Sequence, residues 1–307
     1  AKKYQNEPYM VDCVVIGKNV TEFSMFPFGT DFYPTQMIVE DGNTQFAVMD
    51  GWLVNRKTNT LICATDLDHF EWMSSVRTIP DAVQYIGHDA VYPLNCVLQI
   101  CLPNSVIGIE DDAFNGCGGL QSIELPSSVQ KIGESAFNYC TSMENVVLSS
   151  SVDTINEEAF YSCYSLAHIN LKDTQITELN SHVFSLSGLK EIVLPDTLQT
   201  IQRDAFFSCW YLESVTVCSD LIVINDGAFS GCDQLKTILF TKGVPAWIGS
   251  RLFDETGKTA DGTCFFSNSM DADGEPIPYP TLLYTAEYAN EWAPNGETEW
   301  KGYPIQE

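Results

Sequence analysis

The sequence predicts a repeat solenoid carrying a parallel β-sheet along one face. Three observations lead there. A motif recurs over residues 79–253 with a period close to 23 residues, every copy contains a short apolar–variable–apolar run, and proline closes that run at Pro126 and Pro195. A fixed period of this length means that each unit buries its apolar face by stacking on its neighbours.

The clearest copies read Ile-Gly-x-x-Ala-Phe-x-x-Cys-x-x-Leu-x-x-Ile-x-Leu-Pro-x-Ser-Val. Ala113–Phe114, Ala136–Phe137, Ala159–Phe160, Val183–Phe184, Ala205–Phe206 and Ala228–Phe229 mark successive copies, 23, 23, 24, 22 and 23 residues apart. The Leu-x-x-Ile-x-Leu runs occupy 120–125, 143–148, 166–171, 189–194, 212–217 and 235–240. Their alternation is that of a half-buried strand, and proline ends a strand because it cannot donate to the ladder. Stacked in register, these runs give the sheet.

A second extended piece follows in each copy, at Val129/Ile132, Val152/Ile155, Ile176/Leu179, Leu198/Ile201 and Leu221/Ile224. It turns two more apolar side chains inward on the opposite wall. The Ala-Phe-x-x-Cys segment contributes a phenylalanine to the core and is expected to form a short turn or a helical or 3₁₀ turn, too short for a stable helix alone. One copy departs from the pattern. In Val183-Phe184-Ser185-Leu186-Ser187-Gly188-Leu189, Leu186 stands where the cysteine is expected, and Lys172-Asp173-Thr174-Gln175 before it holds one extra residue. An irregularity in curvature is expected there.

Both ends differ from the array. Residues 1–78 read as a divergent repeat with a β-hairpin at 46–63, in which two apolar runs flank Asn55-Arg56-Lys57-Thr58-Asn59. Its expected role is packing on the array edge. The regular array spans 79–253. Residues 254–307 hold Trp292, Trp300 and five prolines, and are expected to form an irregular cap, since an uncapped coil exposes its core. The three parts are read as one continuous unit.

The balance of 41 acidic against 15 basic residues gives a net charge of −26. Such a surface repels phosphate backbones and anionic membranes, so nucleic acid is not expected as a partner. The sequence contains no run of about 18 consecutive apolar residues, so no membrane insertion is expected. Ala1-Lys2-Lys3-Tyr4 is not a signal peptide, and a processed chain would equally lack one.

Among eleven cysteines, Cys117, Cys140, Cys163, Cys209 and Cys232 share one slot of successive repeats. They are read as a buried column of thiols acting as small hydrophobes. Neighbours about 4.8 Å apart also fall within disulfide reach, so a bridged or metal-bound column is the rival reading. Cys13, Cys63, Cys96, Cys101, Cys218 and Cys264 lie outside the column and are left undecided.

The motif resembles the BspA-like class of leucine-rich repeats, Lys131-Ile132-Gly133-Glu134-Ser135-Ala136-Phe137-Asn138-Tyr139-Cys140 being a close match. Met49-Asp50-Gly51-Trp52-Leu53-Val54-Asn55 with Thr60-Leu61-Ile62, and the ending through Tyr288, Trp292 and Ile305, resemble elements common in such proteins. The resemblance implies a right-handed leucine-rich-repeat coil with its sheet on the concave side. It also implies an extracellular or cell-surface location and adhesion to a host or bacterial surface protein or a glycan.

If function lies in the sheet, register alone nominates its residues. One outward column is Glu124, Val147, Asn170, Val193, Thr216 and Leu239; a parallel one is Ser122, Asn145, His168, Glu191, Ser214 and Thr237. Hydroxyls, amides, one histidine, two carboxylates and aliphatics suit a protein or glycan surface better than a catalytic pocket. The bland alternative is a solvated sheet face.

Enzyme signals are thin. His69, His88, His168 and His182 are scattered and read as surface or capping residues, and no His-Glu-x-x-His, Gly-x-Ser-x-Gly or phosphate-binding loop occurs. Cys163 and His168 are near in sequence, but the cysteine slot faces the core. Asp271-Ala272-Asp273-Gly274-Glu275 is oxygen-rich, yet its glycine is at the fourth position instead of the sixth and no helix flanks it, so it reads as an acidic turn. No metal, cofactor or catalytic residue is assigned. The expectation is a non-enzymatic binding protein, the alternative a structural spacer or assembly module without a ligand.

Overall fold

The computed structural model of the 307-residue chain describes residues 10–11, 13–23, 33–34, 36–65, 75–91, 97–249, 280–300 and 303–307. The acidic run 271–275, and Cys96 and Cys264, lie outside them.

The period becomes a stack of coils with two sheet walls. On the front wall, Ser75–Thr78, Val97–Cys101, Ser122–Glu124, Asn145–Val147 and His168–Ile169 form one parallel sheet. Glu191–Leu194, Ser214–Val217, Thr237–Phe240, Thr281–Tyr284 and Tyr303–Gln306 form a second, closed by antiparallel Glu299–Trp300. Partners are offset by the repeat itself, as in Ser122↔Asn145↔His168. The rear wall runs from Tyr85–Ile86 through Gly108–Ile109 and Lys131–Ile132 to Thr154–Ile155, then separately from Glu178–Leu179 through Thr200–Ile201 and Val223–Ile224 to Trp247–Ile248.

The hairpin does more than pack on the array. Phe46–Met49, Trp52–Asn55 and Thr60–Ala64 extend the rear sheet, with Leu61 in parallel register against Ile86. Ahead of it, Val14–Ile16 pairs with Met37–Val39, again one period apart. These strands and the hairpin enclose a small core of Ile16, Met37, Phe46, Leu53 and Cys63.

Between the walls runs a file of phenylalanines. Phe114, Phe137, Phe160, Phe184, Phe206 and Phe229 are buried, with centroids 4.9, 5.2, 5.5, 5.6 and 5.2 Å apart and planes within 16° of parallel. Their segments are short turns, not continuous helix. One left-handed residue precedes each Ala-Phe pair and another precedes each column slot: Ser135 and Tyr139, Glu158 and Ser162, His182 and Leu186, Asp204 and Ser208. A left-handed residue other than glycine costs about 1–2 kcal/mol and cannot continue a right-handed helix. Here it turns N–H groups toward the next coil. Phe137 donates to Ala159 O at 2.8 Å, Phe160 to Val183 O at 2.9 Å and Phe184 to Ala205 O at 2.9 Å. The turns thus carry a third ladder along the stack.

Both sheet walls are interrupted in the coil spanning residues 168–188. Its front strand pairs with the coil before it, and its rear strand Glu178–Leu179 pairs with the coil after it. The extra residue lies between those strands, where a 3₁₀ turn at Leu171–Asp173 takes it up. The compensating deletion follows Ser187, between the column slot and Leu189, and it leaves the slot in place. Ser187, not Leu186, occupies the cysteine position: its Oγ lies 3.3 Å from Cys209 Sγ, while Leu186 takes the left-handed place before it. Gly188 then fits where a Cβ would fall 2.2 Å from the Tyr164 carbonyl oxygen.

The cysteine column consists of thiols. Cys140, Cys163, Cys209 and Cys232 donate from Sγ to the carbonyls of Phe114, Phe137, Phe184 and Phe206 at 3.0–3.2 Å, and Cys117 donates to Val91 O at 3.3 Å. Burial pushes Cys140 well above its ordinary range and Cys163 from 9.0 to about 12. An unfolded thiol releases its proton first as pH rises, so the folded state loses stability from about pH 9 toward 12. At pH 8 an alkylating reagent should mark exposed Cys13 and Cys101 quickly and the column after denaturation alone. Peptide mass mapping checks this; rapid native labelling of Cys163 would overturn it.

At the far end, Trp292 is buried against Phe240 at 4.8 Å, Tyr284 at 6.2 Å and Trp300 at 5.0 Å between centroids. These rings form an aromatic plug on the last described coils.

Candidate binding face

The two nominated columns stand on the front wall in the expected order. Ser122, Asn145 and His168 are cross-strand partners, as are Glu124 and Val147. Beyond the break, Glu191 pairs with Ser214 and Ser214 with Thr237, beside Val193, Thr216 and Leu239. All of these side chains are exposed or half-buried, while the alternating Ile123, Val146, Ile192 and Val215 are buried. This follows from the period of two along a strand.

The columns extend further than the motif suggested. Val76, Gln99 and Cys101 continue them at one end, and Thr281 and Leu283 at the other. Val76 and Gln99 precede Ser122 at steps of one period, a spacing legible without the Leu-x-x-Ile-x-Leu pattern. Thr281 follows a long non-repeating stretch, and no spacing signals it.

Asn170 has a structural task. Its side-chain amide imitates a peptide, donating to Leu148 O at 2.9 Å and accepting from Leu148 N–H at 2.7 Å. On the rear wall Asn180 supplies the donor half alone, from its side-chain amide to Ile155 O at 2.7 Å. Side chains thus replace ladder bonds in the coil where the backbone has slipped.

The slip opens the face. Where His168–Ile169 fails to pair with Glu191–Leu194, a shallow depression of about 480 Å³ lies between them. Its lining includes Val147, Ile169 and Val193 with Asn145, His168, Lys172 and Glu191. Val147 and Val193 are 48% and 39% exposed, and Ile169 is half-buried although its column mates are buried. Apolar walls with a few polar groups, at this size, are the usual chemistry of a recognition pocket.

Titratable groups converge elsewhere. Among the described residues, His88, Asp89 and Asp112 form the group whose ligand atoms approach most nearly as a metal set would, within 4.8 Å. The imidazole is already engaged: Nδ1 contacts Asp111 O at 2.9 Å and Nε2 meets Asp89 at 3.0 Å. Partial burial opposes its charge, but the Asp111 carbonyl and the carboxylates of Asp89 and Asp112 outweigh that and raise its pKa. His88 bridges coils, the capping role expected of it. Among the described residues no helix is long and apolar enough to cross a membrane.

The BspA type leucine rich repeat region matches residues 70–189 and 173–268, in six copies. The chain belongs to this family. A leucine-rich repeat protein from Eubacterium ventriosum shares the BspA-type chain's fold at 18% identity, covering 83% of this chain and 63% of that one, with a TM-score of 0.53. A leucine-rich repeat protein of T. pallidum is 25% identical over 67% of this chain and 82% of its own, with a TM-score of 0.45. A leucine-rich cell surface protein of Faecalibacterium prausnitzii is 20% identical over 68% and 73%, also at 0.45. No curated protein matches the chain significantly.

Proposed function

We propose that this BspA-type protein is a cell-surface or secreted adhesin that recognises a protein or glycan through its front sheet. The observation that carries this reading is the depression at the sheet break. There Val147 and Val193 remain exposed beside His168 and Glu191, where the paired front strands leave a gap. A rigid sheet holds these groups without further ordering on binding, which lowers the entropic cost of association. Apolar residues at the centre with polar residues around them are the arrangement of an interface anchor. Membership of a repeat family of bacterial surface type supports the location.

The test uses arrayed glycans and a panel of purified host-matrix and bacterial-surface proteins. Val147→Asp with Val193→Asp should weaken a bound partner at least about tenfold, as loss of a central anchor does. Val15→Asp, on an exposed N-terminal strand position, should leave binding unchanged. Equal binding by all three proteins would remove the sheet break from consideration.

A further inference from the structure

The coil that interrupts the sheets also leaves a notch in another surface. In the neighbouring coils the column cysteine is followed by a two-residue projecting turn: Thr141-Ser142, Tyr164-Ser165, Trp210-Tyr211 and Asp233-Gln234. The coil of residues 168–188 has none, because its deletion takes the chain from Ser187 to Leu189 through Gly188 alone. Gly188 packs directly on the Tyr164 backbone, so the floor of the notch has no side chain.

Aromatic rings stand on both sides of it. Tyr164 precedes the gap at 43% exposure; Trp210 and Tyr211 follow it at 45% and 57%. Tyr164 and Trp210 occupy the same slot two coils apart. With spacings of 5.5 and 5.6 Å at the flanking phenylalanines, they stand roughly 11 Å apart along the axis, about two strand spacings. Thr141 and Ser142 lie beyond one side, Asp233 and Gln234 beyond the other, and none of these turns contains lysine or arginine.

We propose that this notch binds a neutral saccharide chain, at a site separate from the front sheet. Aromatic faces are apolar and flat, and they cover the C–H face of a sugar ring. The bordering hydroxyls, amide and carboxylate match its hydroxyl groups. Two platforms two coils apart suit alternate residues of an extended glycan, which present the same face. The net charge of −26 and the absence of cations in these turns set the site against anionic glycans.

The experiment is native affinity electrophoresis in gels containing glucomannan, mixed-linkage β-glucan or arabinoxylan, followed by calorimetry with oligosaccharides of the retarding polymer. The wild-type chain should be retarded by at least one. Trp210→Ala and Tyr164→Ala should each raise Kd at least about tenfold, while Trp210→Phe, which keeps a ring, should raise it less than about threefold. Val15→Asp, on an exposed N-terminal strand position, should have no effect. Circular dichroism verifies that these surface variants fold. Absence of retardation by all three polysaccharides overturns the proposal, as does retention of binding in Trp210→Ala or a loss confined to Val147→Asp. If the three aromatic residues prove necessary for a protein partner in the panel above and for none of the polysaccharides, the site is a protein anchor and the proposal fails.

Discussion

Replacing Phe160 with alanine should lower the free energy of unfolding by about 3–5 kcal/mol, the usual cost of removing a fully buried ring. Phe160 lies 5.2 Å from the Phe137 ring and 5.5 Å from that of Phe184, between two faces that cannot close on the void. Its backbone is fixed by the bond from its N–H to Val183 O, and Phe137 N–H is tied to Ala159 O beside it. A mid-stack truncation weakens two interfaces at once, because each coil contacts both neighbours. Denaturant titration followed by circular dichroism measures the change. Phe160→Leu should recover a substantial part of it. A loss below about 1 kcal/mol for the alanine variant would mean that the ring file is ornamental to stability.

The second large effect is expected at the opposite kind of position, the end. Trp292→Ala removes the plug seated on Phe240, Tyr284 and Trp300, with a cost of about 3–5 kcal/mol. The consequence goes beyond stability. Phe240 and Leu282, buried in the intact protein, would meet water at the end of the stack. A newly exposed apolar patch favours association. Light scattering after size exclusion should therefore show mass rising with concentration, alongside a lowered melting temperature. Trp247→Ala, at an exposed rear-wall position, serves as the control and should change neither. A Trp292 variant that melts normally and stays at constant mass would show that the cap does not close the core.

Much of this architecture could be read directly from residue spacing. A repeat announces its register: once Ala136 and Ala159 are known to be equivalent, the pairing of Asn145 with His168 follows without further information. The same logic placed the phenylalanines and thiols inside and the variable positions outside. It failed where spacing ceased to be uniform. Leu186 was expected in the cysteine slot, whereas the third residue after Phe184 is Ser187, which fills it, and the deletion lies beyond, before Leu189. The turns were legible as short, but not their conformation. Tyr139, Ser162 and Leu186 carry no glycine-like signature of the left-handed conformation the neighbouring coils impose. Asn170 keeps its place in the outward column, and its amide also binds Leu148 because the ladder slips in that coil, a contact that spacing does not announce. Tertiary context decides such positions, and a motif does not encode it.

The coil of residues 168–188 has a mechanical meaning as well. A force pulling along the axis is borne by three rails: the front ladder, the rear ladder and the turn ladder with its phenylalanine file. At this coil the first rail stops on one side and the second on the other, while the bonds from Phe160 to Val183 and from Phe184 to Ala205 carry on. Load concentrates on that remaining rail, where the ring spacing is already the widest of the file at 5.5 and 5.6 Å. Under tension this coil is therefore expected to yield before the regular coils on either side of it, parting into two blocks that each keep their own sheets. The depression between Val147 and Val193 straddles the same seam, so its two walls would move apart as the stack is stretched.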